Sequence, residues 1–285
     1  MFRSTRKKIV DKIATRHIAG PSIDDALLVC RWADENGINT NIEPWTFSDD
    51  SPRIMVKQYS EAIETILDTG YNCTLGVKPA CFNYDTEVFK DLIWLASVKK
   101  IRIHLGSTDL ASAQRNFALL ERVTPSYTEL GCTLPSRWLR SLDDTKRVIE
   151  LGLYVRVVKG QWVDPDAPRL NCKTNYLDVV SRLVDKSRFV GVATHDVRLA
   201  RSALNLLSSS STEHEMEQFF SLPLNGLNLS KEFSCPYRIH VAYGNPGLPY
   251  NVRFGPHRPA TIAWVISDIL RKRPQPWAKD TRDPI

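Results

Sequence analysis

Apolar positions along this chain follow two different spacings. Short runs dense in Val, Ile, Leu, Phe and Tyr recur at TNIEPW (40–45), CTLGVK (73–78), IRIHL (101–105), ELGCTL (129–134), LYVRVVK (153–159), FVGVAT (189–194), MEQFFSL (216–222) and YRIHVAY (237–243). Longer stretches lie between most of them, with apolar residues on one helical face: PRIMVKQYSEAIETILDTG, DTEVFKDLIWLASVKK, DLASAQRNFALLERV, DDTKRVIELG, TNYLDVVSRLVDK and DVRLARSALNLL. The first set predicts strands and the second helices. The seventh connection is shorter and irregular. Strand–helix alternation predicts a parallel sheet. Eight such units predict a closed one, so the expected fold is α/β, a distorted (β/α)8 barrel of the TIM type with N-terminal helices.

Ahead of the first strand, SIDDALLVCRWADENG (22–37) starts on a good N-cap, Ser22, with Asp24 and Asp25 behind it, and stops at Gly37. The expected organisation is an N-terminal helical segment over 1–38, the barrel over 39–272 and a solvated tail over 273–285. The first residues, MFRSTRKKIV, are basic but lack the apolar stretch of a secretory signal. No apolar run approaches the roughly 20 residues that cross a bilayer.

Composition narrows the picture only a little. The six cysteines are scattered with no CxxC pair, which favours reduced thiols in a cytoplasmic protein, at most peripheral to a membrane, over a disulfide framework or a zinc site. A net charge of +6 suits anionic substrates or cofactors, but no basic cluster interleaved with aromatics points to nucleic acid.

Chemistry in such a barrel sits at the C-terminal ends of the strands. Glu43, Lys78, His104, Arg156, Lys159, Thr194, His195, Glu217, Arg238 and His240 all fall in or near that position, and their convergence points to a site. Strand five is the clearest case. In VRVVKGQW (155–162), alternation turns Tyr154, Arg156 and Val158 to one face, so Arg156 is expected inside the barrel. A cation there needs a partner, either a ligand or an interior carboxylate such as Glu43 or Glu217. Lys159 turns outward unless the strand ends at Val158, and Gly160 permits close approach of a ligand to the backbone. ATHD (193–196) runs from a strand end into a helix start, where Thr194 and the next N–H groups serve either as a cap or as an anion site. In YRIHVAYGNPGLPYNVRFGPHRPA (237–260), Tyr250 and Arg253 share a helical face, a geometry able to clamp a small carboxylate.

VRVVKGQW, ATHD, YRIHVAYG, PYNVRF and TRHIAGPSIDDAL, with LGCTLPSRWLRS (130–141), together resemble the motifs of the flavin-dependent proline dehydrogenases, in register over nearly the whole chain. The resemblance implies a distorted barrel with non-covalent FAD over the strand ends and oxidation of a cyclic amino acid by hydride transfer to flavin N5. Carried over by position, Arg156 would lie near that N5. Lys159, Gly160, Gln161, Trp162, Thr194 and His195 would contact the cofactor. Lys78 and Arg253 would hold the substrate carboxylate, and Tyr250 would pack on the substrate ring. Electrons would pass to a quinone or to oxygen.

Several positions depart from the family pattern. The family's paired arginines read Arg253-Phe254, its strand-eight tyrosine is His240, its strand-three acid is His104, its strand-four glutamine is Pro135, and a glutamate beyond the arginines is His257. His104 and His240 are therefore the candidates for proton transfer or new substrate contacts. Two other readings stay open. His104 and His240, with His195 and Glu43 or Glu217, are also what a metal-dependent barrel enzyme would use, although no spacing requires a metal. A non-catalytic homologue without FAD would equally keep the fold.

Overall fold

The computed structural model describes residues 18–45, 51–107, 109–220, 222 and 224–244. Tyr250, Arg253, Phe254, His257, the last part of the expected barrel segment and the tail lie outside them.

Eight parallel strands close into a barrel in chain order: β1 (Asn39–Trp45), β2 (Cys73–Val77), β3 (Ile103–Leu105), β4 (Leu130–Pro135), β5 (Tyr154–Val158), β6 (Phe189–Ala193), β7 (Glu213–Phe219) and β8 (Tyr237–Gly244). Closure is direct, with Asn39 to Trp45 of β1 in register with Arg238 to Gly244 of β8. Ahead of the barrel runs α1 (Ile23–Glu35), started by a reciprocal capping box between Ser22 and Asp25. The connecting helices are α2 (Pro52–Thr69), α3 (Thr86–Ser97), α4 (Leu110–Val123), α5 (Ser141–Glu150), α6 (Cys172–Leu183), α7 (Val197–Leu207) and α8 (Gly226–Glu232). The irregular seventh connection is thus the short helix α8. None of these helices is long and apolar enough to cross a membrane. None of the six cysteines, all among the described residues, is in a disulfide.

Outward-facing strand residues such as Ile42, Leu75, Ile103, Leu134, Val157, Val192 and Ile239 pack against the helices and form the main apolar core. The face toward the barrel axis is different. Barrels of this type are usually filled by branched apolar side chains, yet Asn41, Glu43, Thr74, His104, Arg156, Glu215, Glu217 and Arg238 are all buried here. Two carboxylate–guanidinium pairs balance the charges inside. Arg238 Nε donates to Glu215 at 2.7 Å and Arg238 Nη1 to the Thr40 carbonyl at 2.6 Å. Arg156 Nε donates to Glu217 at 2.6 Å. Arg102 stacks on Tyr154, its guanidinium carbon 3.6 Å from the ring centre. Glycines on neighbouring strands leave the room: a Cβ on Gly131 would lie 2.5 Å from His104 Nδ1, and one on Gly76 would lie 2.7 Å from Glu43 Oε2.

This charged interior explains where the sequence pattern and the structure differ. β7 begins at Glu213, three residues before the start of the run MEQFFSL, because Glu213, Glu215 and Glu217 alternate with His214 and Met216 on a strand whose axial face is acidic. Arg238 was placed at the rim by its strand, but it opens β8 and is bonded deep in the barrel to Glu215. Removing one member of a buried pair strands the other. Glu215→Gln is therefore expected to cost about 3–5 kcal/mol in urea unfolding, and Glu215→Leu combined with Arg238→Met to recover most of it.

Candidate functional site

The C-terminal mouth of the barrel gathers side chains from β1, β2, β7 and β8 around one carboxylate. Glu43 Oε1 takes the Lys78 ammonium at 2.6 Å and the Trp45 indole N–H at 3.2 Å. Its other oxygen lies 3.4 Å from His240 Nε2. Lys78 Nζ is also 5.1 Å from the centre of a Trp45 ring, within cation–π range. Phe219 stacks on His240 at 5.1 Å and packs on Trp45 at 5.6 Å, so three rings form one wall.

Beneath this group sits the Arg156–Glu217 pair, with Glu217 Oε1 4.0 Å from His240 Nδ1. Asn41 orients His240. Thr74 Oγ1 donates to Asn41 Oδ1 at 2.9 Å, which turns the Asn41 amide N–H toward His240 Nδ1 at 3.0 Å. Nδ1 then accepts, and the proton of the neutral ring sits on Nε2, facing Glu43. His104 stands apart on β3, its Nε2 3.1 Å from Thr133 Oγ1.

The protonation states follow from these contacts. Burial alone would push the Glu43 carboxyl up, but Lys78 foremost, then His240 and Arg156, hold it at about 2. Burial lowers His240 to about 4, helped by Arg156 and Lys78 against the pull of Glu43. Burial likewise holds His104 well below the usual imidazole range, with Arg156 and Arg102 adding to it. Glu217 is raised, by burial first and by Glu215, against the attraction of Arg156. At neutral pH the mouth therefore has an ionised Glu43 and two uncharged imidazoles.

A second group lies along the ends of β5 and β6. β5 ends at Val158, which frees the Lys159 side chain to reach Asp196 at 3.8 Å, and Lys173 reaches the same carboxylate at 2.8 Å. Asp196 caps α7 through the Leu199 N–H, and Thr194 Oγ1 accepts from the Asp196 N–H at 3.1 Å. His195 Nε2 accepts the Phe219 N–H at 2.9 Å, so its neutral ring carries the proton on Nδ1. Gly160 has φ +81°, and its carbonyl accepts from Arg137 Nε at 2.8 Å. The Trp162 carbonyl accepts from the Trp138 indole at 3.1 Å. Gln161 is exposed.

The structure thus brings Lys78, Arg156 and His240 together at the mouth, sets Lys159, Gly160, Thr194 and His195 beside it, and leaves Tyr250 and Arg253 outside the described residues. Asn41, Trp45, Phe219 and Glu215 were not singled out from sequence. Strand parity carried the signal for three of them: Asn41 and Trp45 flank Glu43 at i−2 and i+2, and Phe219 follows Glu217 at i+2. Among the described residues no three His, Cys, Asp or Glu side chains gather as a metal-binding group.

No family model matches the chain. In sequence it is 20% identical over 276 residues to proline dehydrogenase 1 of Bacillus subtilis (strain 168), covering 91% of each protein. It is 21% identical over 280 residues to proline dehydrogenase of Deinococcus radiodurans, covering 91% of this chain and 90% of that one. In fold it is similar to proline utilization A of Bdellovibrio bacteriovorus inactivated by N-propargylglycine, with a TM-score of 0.77 at 16% identity over 95% of this chain. Proline utilization A of Corynebacterium freiburgense gives 0.69 at 14% identity over 92%. The chain spans only 35% and 32% of those two solved proteins.

The lowered His240 value has a measurable consequence. The unfolded ring, with an ordinary value of 6.5, binds a proton that the folded ring, at about 4, refuses. Stability from this residue is complete above the unfolded value and is lost as pH falls toward the folded one. From about pH 7.5 to about pH 5 the wild type should therefore lose roughly 2 kcal/mol more than His240→Gln in paired urea titrations. Parallel curves would mean that His240 titrates in the folded protein as it does in the unfolded one.

Proposed function

We propose, for a chain that is a divergent relative of the proline dehydrogenases, that the barrel mouth is the site of an FAD-dependent oxidoreductase acting on proline or a related cyclic amino acid. The observation that carries this reading is the convergence of separate motifs on one rim. VRVVKGQW and ATHD meet through Lys159 and Asp196, and VRVVKGQW and the β8 segment YRIHVAYG approach each other through Glu217, which takes Arg156 and lies 4.0 Å from His240.

The donor set fits a flavin. Arg156 and Lys159 supply fixed positive charge, His195 is polarised as an Nδ1 donor, and the backbone turns at Gly160 in a conformation that glycine favours. Arg156, Lys159, Gly160, Gln161, Trp162, Thr194 and His195 would hold the group. When bound, FAD supplies the acceptor for a hydride leaving the substrate carbon.

The chain's own residues bind and orient. Glu217 fixes the Arg156 guanidinium so that its charge stays centred below the mouth. Lys78 presents an ammonium for a substrate carboxylate, with Tyr250 and Arg253 as its expected partners. His240, held by Asn41, directs its Nε2 proton toward Glu43, and the Trp45–Phe219–His240 wall offers an apolar face to a ring while limiting water. His104, uncharged and bonded to Thr133, is placed to shape the pocket floor. Cysteines that form no disulfide suit a cytoplasmic protein, and the electron acceptor would be a quinone or oxygen.

The test is the visible spectrum of the purified protein, followed by anaerobic addition of L-proline. Flavin absorption bands that bleach on addition are expected. A colourless protein that stays colourless after incubation with FAD would overturn the reading.

A further inference from the structure

The Glu43–Lys78 contact closes the mouth on itself. A buried carboxylate, an indole face and a ring wall make a good seat for an ammonium ion, and in this structure the ammonium in that seat belongs to Lys78. The Lys78 side chain is 29% exposed and that of Glu43 only 7%, so the lysine is the outer, movable member and the carboxylate the fixed one. The Trp45 indole donates to Glu43 and His240 Nε2 lies 3.4 Å from its other oxygen, contacts that do not involve Lys78.

Building on the proposed function, we infer that Glu43 is the specificity residue that reads the substrate amine, so that the Glu43–Lys78 pair recognises the head group of a cyclic amino acid as a zwitterion. The substrate ammonium takes the seat on Glu43, and Lys78 swings onto the substrate carboxylate. The exchange is charge-neutral: one ion pair becomes two, and no buried charge is left alone. An amine without a carboxylate would evict Lys78 and leave it unpaired. A carboxylate without an amine would add a negative charge beside Glu43 with only one lysine between them. The first costs Lys78 its ion pair, and the second sets an uncompensated charge against a buried carboxylate. The ring lies against Trp45 and Phe219, the apolar wall beside the carboxylate.

The test is calorimetric titration of the full chain, reduced with dithionite so that no turnover occurs, with three probes built on one five-membered ring: L-proline, pyrrolidine and cyclopentanecarboxylate. L-Proline should bind at least about tenfold more tightly than either half-probe. Glu43→Gln should erase its advantage over cyclopentanecarboxylate. Lys78→Met should bind pyrrolidine about tenfold more tightly than the wild type, because the competing ammonium is gone. A purely structural Lys78 would not produce that gain, and this arm decides the matter even if Glu43→Gln fails to fold.

Equal binding of proline and cyclopentanecarboxylate by the wild type, no binding of proline, or unchanged or weaker pyrrolidine binding in Lys78→Met would each overturn the inference. The flavin spectrum is read separately. A flavin-loaded protein with Glu43-independent binding would sink the inference and leave the proposed function standing. Glu43-dependent zwitterion binding in a protein that takes up no flavin would do the reverse.

Discussion

A guanidinium enclosed by a barrel must be met by a carboxylate, and the 2.6 Å contact between Arg156 and Glu217 meets that demand. The mouth depends on it. Glu217 lies 4.0 Å from His240, Arg156 helps keep both His240 and His104 uncharged, and the same guanidinium helps hold Glu43 ionised. Without the pair, a lone cation under the mouth would face two imidazoles and a carboxylate with nothing to balance it. Pairs of this kind rarely add net stability compared with apolar filling, since desolvation offsets their attraction. What they do here is place charge at defined depths along the axis, from Arg238–Glu215 up to Lys78–Glu43.

That axial arrangement decides how much was legible in the sequence. The eight strands and their parallel closure were readable, because outward positions such as Leu75, Val157 and Ile239 keep the apolar rhythm on the helix-facing side. The inward position of Arg156 followed from simple alternation, and Lys159 turned on where β5 stops, at Val158. The start of β7 was not readable, because a strand whose axial face is Glu213, Glu215 and Glu217 looks like a polar loop until the barrel surrounds it. Nor could alternation give depth. Arg238 and His240 share one face of β8, yet Arg238 is bonded to Glu215 and His240 stands at Glu43.

Partner choice is the part that local sequence cannot encode. Glu43 and Glu217 were both candidates for Arg156, and only the closure that brings β5 and β7 within reach, 61 residues apart in the chain, assigns Glu217 to it and Glu43 to Lys78. The same closure turns Asn41, an unremarkable residue in TNIEPW, into the group that sets the His240 tautomer from 199 positions away.

The two halves of the site differ in how they tolerate change. Pro135 stands where the resemblance places a glutamine, and it sits against Gly160 so closely that a Cβ there would approach the proline Cβ to 2.7 Å. Arg137 bonds the Gly160 carbonyl and Trp138 the Trp162 carbonyl. The segment after β5 is therefore held by several separate contacts from the β4 loop, packing against Pro135 among them. The mouth has no such redundancy. Glu43 receives Lys78, Trp45 and His240 on its two oxygens, so altering any one of them changes the electrostatic surroundings of the others. His240 in place of a tyrosine is then a change in what faces Glu43: an imidazole whose Nε2 lies 3.4 Å from the carboxylate while Asn41 occupies Nδ1.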